Sequence, residues 1–167
     1  MKYNLRPGQE KLKREVITAY QEGYRYINMD ACVRVGKSIL SLDIAKTLGM
    51  HAVYIGKNLT SQSSVLKEQD TFHIVQSMSV CSLHGNNEES KFNRIVENID
   101  NTNIFELPVV FFVDEVDDQS HTERSISTLK KVIKHYKNVN AFGALITMTG
   151  TRAHRGMKVL NRVKDAS

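Results

Sequence analysis

Short apolar runs alternate along the chain with longer segments whose apolar residues recur at helical spacing, a pattern that predicts strands and helices in turn. A helix is predicted over roughly Gln9 to Glu22. Pro7 sits just ahead of it, Leu12, Val16, Ile17 and Tyr20 share one face, and Gly23 is the stop. Tyr24 to Asp30 has strand-like β-branched and aromatic content, and Ile39 to Leu48 returns to helical spacing before Gly49. His51 to Gly56 predicts a second strand. The polar, hydroxyl-rich stretch from Lys57 to Ser64 then opens a helix reaching Gln69. Phe72 to Gln76 and Ser79 to Leu83 read as short strand material before the loop residue His84. Asn86 to Asn103 carries Phe92, Ile95, Val96 and Ile99 on one helical face. Leu107 to Val113 is continuously apolar, the mark of a strand buried on both faces. A basic helix from Ser120 to Tyr136 and a buried strand from Ala141 to Met148 follow. Thr149-Gly150-Thr151 comes next, and then a short basic tail with Arg152, His154, Arg155 and Lys158.

Strands alternating with helices predict an α/β fold: a mostly parallel sheet with helices on both faces, joined by right-handed crossovers. With 167 residues, 41% of them hydrophobic and 25% charged, the chain suits one globular domain with a single substantial core. No signal peptide and no membrane-spanning apolar run occurs, so no membrane partner is expected. The two cysteines, Cys32 and Cys81, lack metal-ligand spacing. They predict a reduced, cytoplasmic setting, the host's cytoplasm if the chain is viral. A net charge of +5 is compatible with a polyanionic partner without requiring one.

The candidate chemistry begins at Ala31-Cys32-Val33-Arg34-Val35-Gly36-Lys37-Ser38, between a predicted strand and a predicted helix. A loop there can curl its backbone N–H groups around phosphates, and the helix N-terminus adds partial positive charge. Lys37 would reach the β- and γ-phosphates and the Ser38 hydroxyl would bind Mg²⁺. The usual pattern opens with glycine, where this chain has Ala31. A second signal is Asp114-Glu115-Val116-Asp117, directly at the end of the buried apolar run, where open α/β sheets bind ligands. Asp114 would hold the metal and Glu115 would polarise an attacking water. Two smaller signals join these. Gln9 carries an amide that can donate to and accept from an adenine edge, although a docked N-terminal helix explains it as well. The donors after the second strand, Lys57 and Thr60, suit a phosphate backbone, as they would an ordinary solvated turn.

Taken in order, Leu5-Arg6-Pro7-x-Gln9, Ala31 to Ser38, Asp114 to Asp117 and Thr149-Gly150-Thr151 resemble the motifs of superfamily 2 helicases and translocases. The resemblance covers essentially the whole chain, as the first of that family's two RecA-like domains. It implies a RecA-like P-loop fold, ATP and Mg²⁺ as cofactors, and ATP hydrolysis coupled to movement on nucleic acid. By the same resemblance, the nucleotide is held by Arg6, Gln9, Ala31, Val33, Arg34, Val35, Gly36, Lys37 and Ser38. Lys37, Asp114 and Glu115 act in hydrolysis, with Ser38 and Asp114 on the metal. Asp117, Thr149, Gly150 and Thr151 couple hydrolysis to movement through hydroxyl contacts with the acidic box, and Lys57 and Thr60 touch nucleic acid.

An opening Ala31 is common in that family. Arg34 stands where many members have glycine, Gly56-Lys57-Asn58 replaces the usual Pro-Thr, and Gly150 replaces an alanine. The acidic box and the short N-terminal motif lean toward DNA translocases, including phage-type helicases and restriction-motor subunits, rather than RNA-specific DEAD-box proteins. No second RecA-like domain follows, so the chain is expected to be a fragment of a longer motor whose partner domain supplies the arginine finger. The alternatives are an RNA helicase domain, a stand-alone nucleotide-dependent regulatory module, and a P-loop ATPase acting on protein or small molecules. The N-terminal and Thr-Gly-Thr motifs argue against the last.

Overall fold

Val109–Val113 is apolar at every position, and all five residues are buried. Such a strand is stable only with neighbours on both edges and cover on both faces. A computed structural model, describing residues 5–30, 37–56, 78–81, 88–114, 123–149 and 158–165, shows how that cover is built. The described elements run α1 (Pro7–Gln21), β1 (Tyr26–Asp30), α2 (Lys37–Leu48), β2 (His51–Ile55), β3 (Met78–Cys81), α3 (Glu88–Thr102), β4 (Val109–Val113), α4 (Glu123–Asn138), β5 (Phe142–Thr149) and β6 (Lys158–Val163). The strands form one six-stranded sheet in the order β3-β2-β4-β5-β1-β6, parallel except for β6, which runs antiparallel to β1. The protein is therefore α/β, with a mostly parallel sheet flanked by helices.

The two faces of the sheet carry separate cores. Ala52, Tyr54, Val110, Phe112, Ile146 and Met148 pack with Leu12 and Val16 of α1 and with Leu40, Leu42 and Ile44 of α2. On the other face Val53, Ile55, Phe111 and Val113 meet Ile95 and Ile99 of α3 and Val132, Ile133 and Tyr136 of α4. α2 is apolar around most of its circumference, as a buried helix must be. Ser41, buried on α2, donates its hydroxyl to Met148 Sδ at 3.5 Å, and Asp43 is ion-paired at 3.0 Å to Lys13 of α1.

Three expectations are adjusted. Pro7 is the first residue of α1 rather than its forerunner, a position where proline's missing N–H costs nothing. Residues 72–76 lie outside the described residues, and the short strand beside β2 is Met78–Cys81. The end of the basic tail is a strand: β6 closes the sheet beside β1 and is tied to α1 where Val159 N donates to Glu15 Oε2 at 3.0 Å.

Candidate functional site

All strands but β6 point one way, so the loops after β1, β2, β4 and β5 leave the same edge of the sheet. β1 ends at Asp30, immediately before Ala31, and α2 begins at Lys37. Ala31, Val33, Arg34, Val35 and Gly36 lie outside the described residues. Of Lys37 and Ser38 only the helical backbone is described, and it opens α2. A helix N-terminus following a parallel strand concentrates unpaired N–H groups and partial positive charge at this edge.

β4 delivers Asp114 to the same edge. Its backbone N–H continues the ladder to Ile55 O at 3.0 Å, and its side chain is buried. Oδ2 accepts the Tyr54 hydroxyl at 2.8 Å. Tyr54 lies on β2, packed in the core beside α1 and α2, so the carboxylate is oriented by a rigid strand rather than by a loop. Glu115 and Asp117 lie outside the described residues, as do Lys57, Thr60, Gly150, Thr151 and His84.

Between β1 and β4 runs β5, whose last residue is Thr149. The resemblance implies that this residue's hydroxyl works against the acidic box. Its hydroxyl donates to Asn28 Oδ1 at 3.1 Å, and Thr147 donates to the same oxygen at 3.1 Å. Asn28 sits on β1, opposite Thr147 in register, so the tips of β1 and β5 are pinned together. No sequence motif marked Asn28 or Tyr54; a polar residue within a strand is the one signal either offers.

Gln9 is buried at 4% exposure, and its Oε1 accepts the Arg6 backbone N–H at 2.8 Å, the reciprocal half of a capping arrangement. The structure gives this oxygen a helix-capping role, and Arg6 is the exposed residue at the start of the same helix. Two surface grooves lie elsewhere. One of about 360 Å³ separates α1 from β6, and one of about 420 Å³ under α4 is lined by Tyr26, Ile126, Leu129 and Leu145. Neither includes a predicted site residue, and the site at the strand edge is defined by topology rather than by either groove. No protein-family model matches the chain, and a search of curated protein sequences finds no match.

The donors at this edge suit a magnesium nucleotide. They are hard oxygens, one held rigidly by Tyr54, beside a helix N-terminus suited to phosphate. Among the described residues no group of three or more His, Cys, Asp or Glu side chains could hold a metal without help from a ligand. Magnesium does not need one, because it takes one or two carboxylates together with phosphate oxygens and water. Cys81 ends β3 at this same edge, two strands from Asp114. Burial pushes the Cys81 thiol up to about 11, which makes it an inert core residue. Tyr136 is shifted upward by burial and by its bond to Asp100.

Proposed function

We propose that the chain is the nucleotide-binding, RecA-like domain of a superfamily 2 helicase or translocase that acts on DNA. The observation that supports it is the sheet order. Three strands that lead into the phosphate-loop sequence, the acidic box and the Thr-Gly-Thr motif are β1, β4 and β5, and they are consecutive neighbours in the sheet. They are far apart in sequence, yet the fold sets their ends side by side at the ligand-binding edge of a parallel sheet.

On this reading Lys37 and the α2 N-terminus bind phosphate, and Ser38 and Asp114 hold Mg²⁺, which when bound offsets the charge of the phosphates. Glu115 accepts a proton from the attacking water. Tyr54 fixes Asp114, and Asn28 joins the nucleotide strand to the strand of the coupling motif. The arginine finger, worth roughly 10³–10⁵ in rate, comes from a second RecA-like domain.

The experiment is steady-state ATP hydrolysis by the protein together with that second domain, with and without DNA. DNA-stimulated turnover that disappears in Glu115→Gln is expected. Nucleotide binding without any nucleic-acid response would favour a regulatory module instead.

A further inference from the structure

The turn between α3 and β4 carries Ile104 and Phe105 side by side, 74% and 71% exposed. Val139, in the turn that enters the neighbouring strand β5, is 58% exposed at the same edge of the sheet. Single apolar residues on a surface need no explanation, but a cluster of large ones marks a place where something docks. The turn is well braced. Asn103 Nδ2 donates to Leu107 O at 2.8 Å, and Leu107 N donates back to Asn103 Oδ1 at 3.0 Å. Glu106 N donates to Asn103 O at 3.1 Å. Ile104 and Phe105 therefore stand out as a preformed knob, with the exposed Glu106 next in the chain. A knob fixed in advance loses little entropy on docking.

The complementary shape lies elsewhere on the same molecule. Between α4 and strands β1 and β5 is a groove of about 420 Å³, floored by Tyr26 and Leu145 and walled by Ile126, Leu129 and Ile133. A cavity of about 150 Å³ holds a benzene ring, so this groove has room for a phenylalanine ring with an isoleucine beside it. Lys130 and Lys134 stand exposed on the rim, and among the described residues neither is ion-paired. Lys137, the third rim lysine, is already met by Asp165 at 3.3 Å. Knob and groove thus match twice, apolar projection to apolar recess and one exposed carboxylate to two lysines. They share no residue. The knob lies at the sheet edge opposite Asp114, so docking leaves the Asp114 edge open.

We propose that these two surfaces bind each other between two copies of this chain. Ile104 and Phe105 of one copy enter the groove of the other, and Glu106 meets Lys130 and Lys134. Different patches meet in such a contact, so it is heterologous, and each copy offers both halves. Apolar burial supplies the affinity and charge sets the orientation. The inference goes beyond the nucleotide reading and does not depend on it.

The test is sedimentation equilibrium of the nucleotide-free chain from about 10 µM to about 1 mM, the range suited to a small interface. The wild type is compared with Phe105→Ser and Ile126→Glu. Both positions are exposed, so both variants should melt within about 2 °C of the wild type. If either does not fold, Phe105→Ala or Lys134→Glu takes its place. The wild type should associate as concentration rises, and each variant alone should do so at least about tenfold more weakly. Mixed, the two variants should form a one-to-one complex, because one keeps an intact groove and the other an intact knob. A wild type that stays monomeric throughout overturns the proposal. So does association lost in Phe105→Ser but kept in Ile126→Glu, which means that knob packs on knob, and so does a mixture that restores nothing.

Discussion

The Tyr54 hydroxyl donates to Asp114 Oδ2 at 2.8 Å, joining the core of one strand to the tip of its neighbour. Both side chains are buried, so the bond is made where water does not compete and where one oxygen of the carboxylate is a charge-assisted acceptor. Tyr54→Phe keeps the ring and removes the donor. It should destabilise the fold by about 1–3 kcal/mol, read by urea denaturation. It should also weaken Mg-ADP binding more than Mg²⁺-free ADP binding. A variant unchanged in both respects would mean that the bond does not orient Asp114.

Gln9 offers a double readout. Its Oε1 caps α1 through the Arg6 N–H, so Gln9→Ala should cost about 0.5–2 kcal/mol in stability. If its amide also reads adenine, the preference for ATP over GTP should narrow in the same variant. Lost stability with an unchanged nucleotide preference would leave Gln9 with the cap alone.

His51 sets a pH dependence at the opposite end of β2. It is buried, its Nε2 lies 2.6 Å from Ser79 Oγ, and burial lowers its pKa from 6.5 to about 4. Below 6.5 the unfolded chain takes up a proton that the folded chain refuses until about pH 4. Stability therefore falls as pH drops through that window and levels off below it, with a full swing of about 3 kcal/mol from this residue. Urea titrations at about pH 7.5 and about pH 4.5 should show a larger loss in the wild type than in His51→Asn. Equal losses would contradict the assignment.

Gly143 lies where the register of β5 slips against β4, between the pairs Val109–Phe142 and Val110–Ala144. A Cβ there would collide with Met50 Sδ and come within 2.9 Å of Val109 O. The backbone oxygen belongs to a central strand and cannot retreat cheaply. Gly143→Ala should lower stability by about 1–3 kcal/mol, measured by chemical denaturation. A neutral result would show that β4 and β5 can separate at this end.

The elements the sequence marks well are those whose own residues determine them. Val109–Val113 can only be a central strand, and Leu12 and Val16 can only face a core, so these were legible to within a few residues. β6 was not. Lys158 to Val163 is an edge strand with most of its residues exposed, and its sequence looks like a basic tail until β1 pairs with it. Sheet order was equally hidden, since the insertion of β5 between β1 and β4 is a tertiary choice that no local pattern encodes. At the site, the phosphate-loop sequence and the acidic box stood out because their residue types are chemically specific. Asn28 and Tyr54 did not, because a strand amide and a core tyrosine are common. What distinguishes them is which polar atoms they meet.

The account turns on whether the edge formed by β1, β4 and β5 binds a nucleotide through the phosphate-loop lysine. Calorimetric titration of Mg-ADP into the wild-type chain and into Lys37→Ala tests this most directly. Lys37 is the first residue of α2, and thermal melts of the ligand-free wild type and variant show whether both chains are folded. Measurable binding by the wild type and none by the variant is the expected result. Equal affinity in the two, or no binding by a folded wild-type chain, would contradict it.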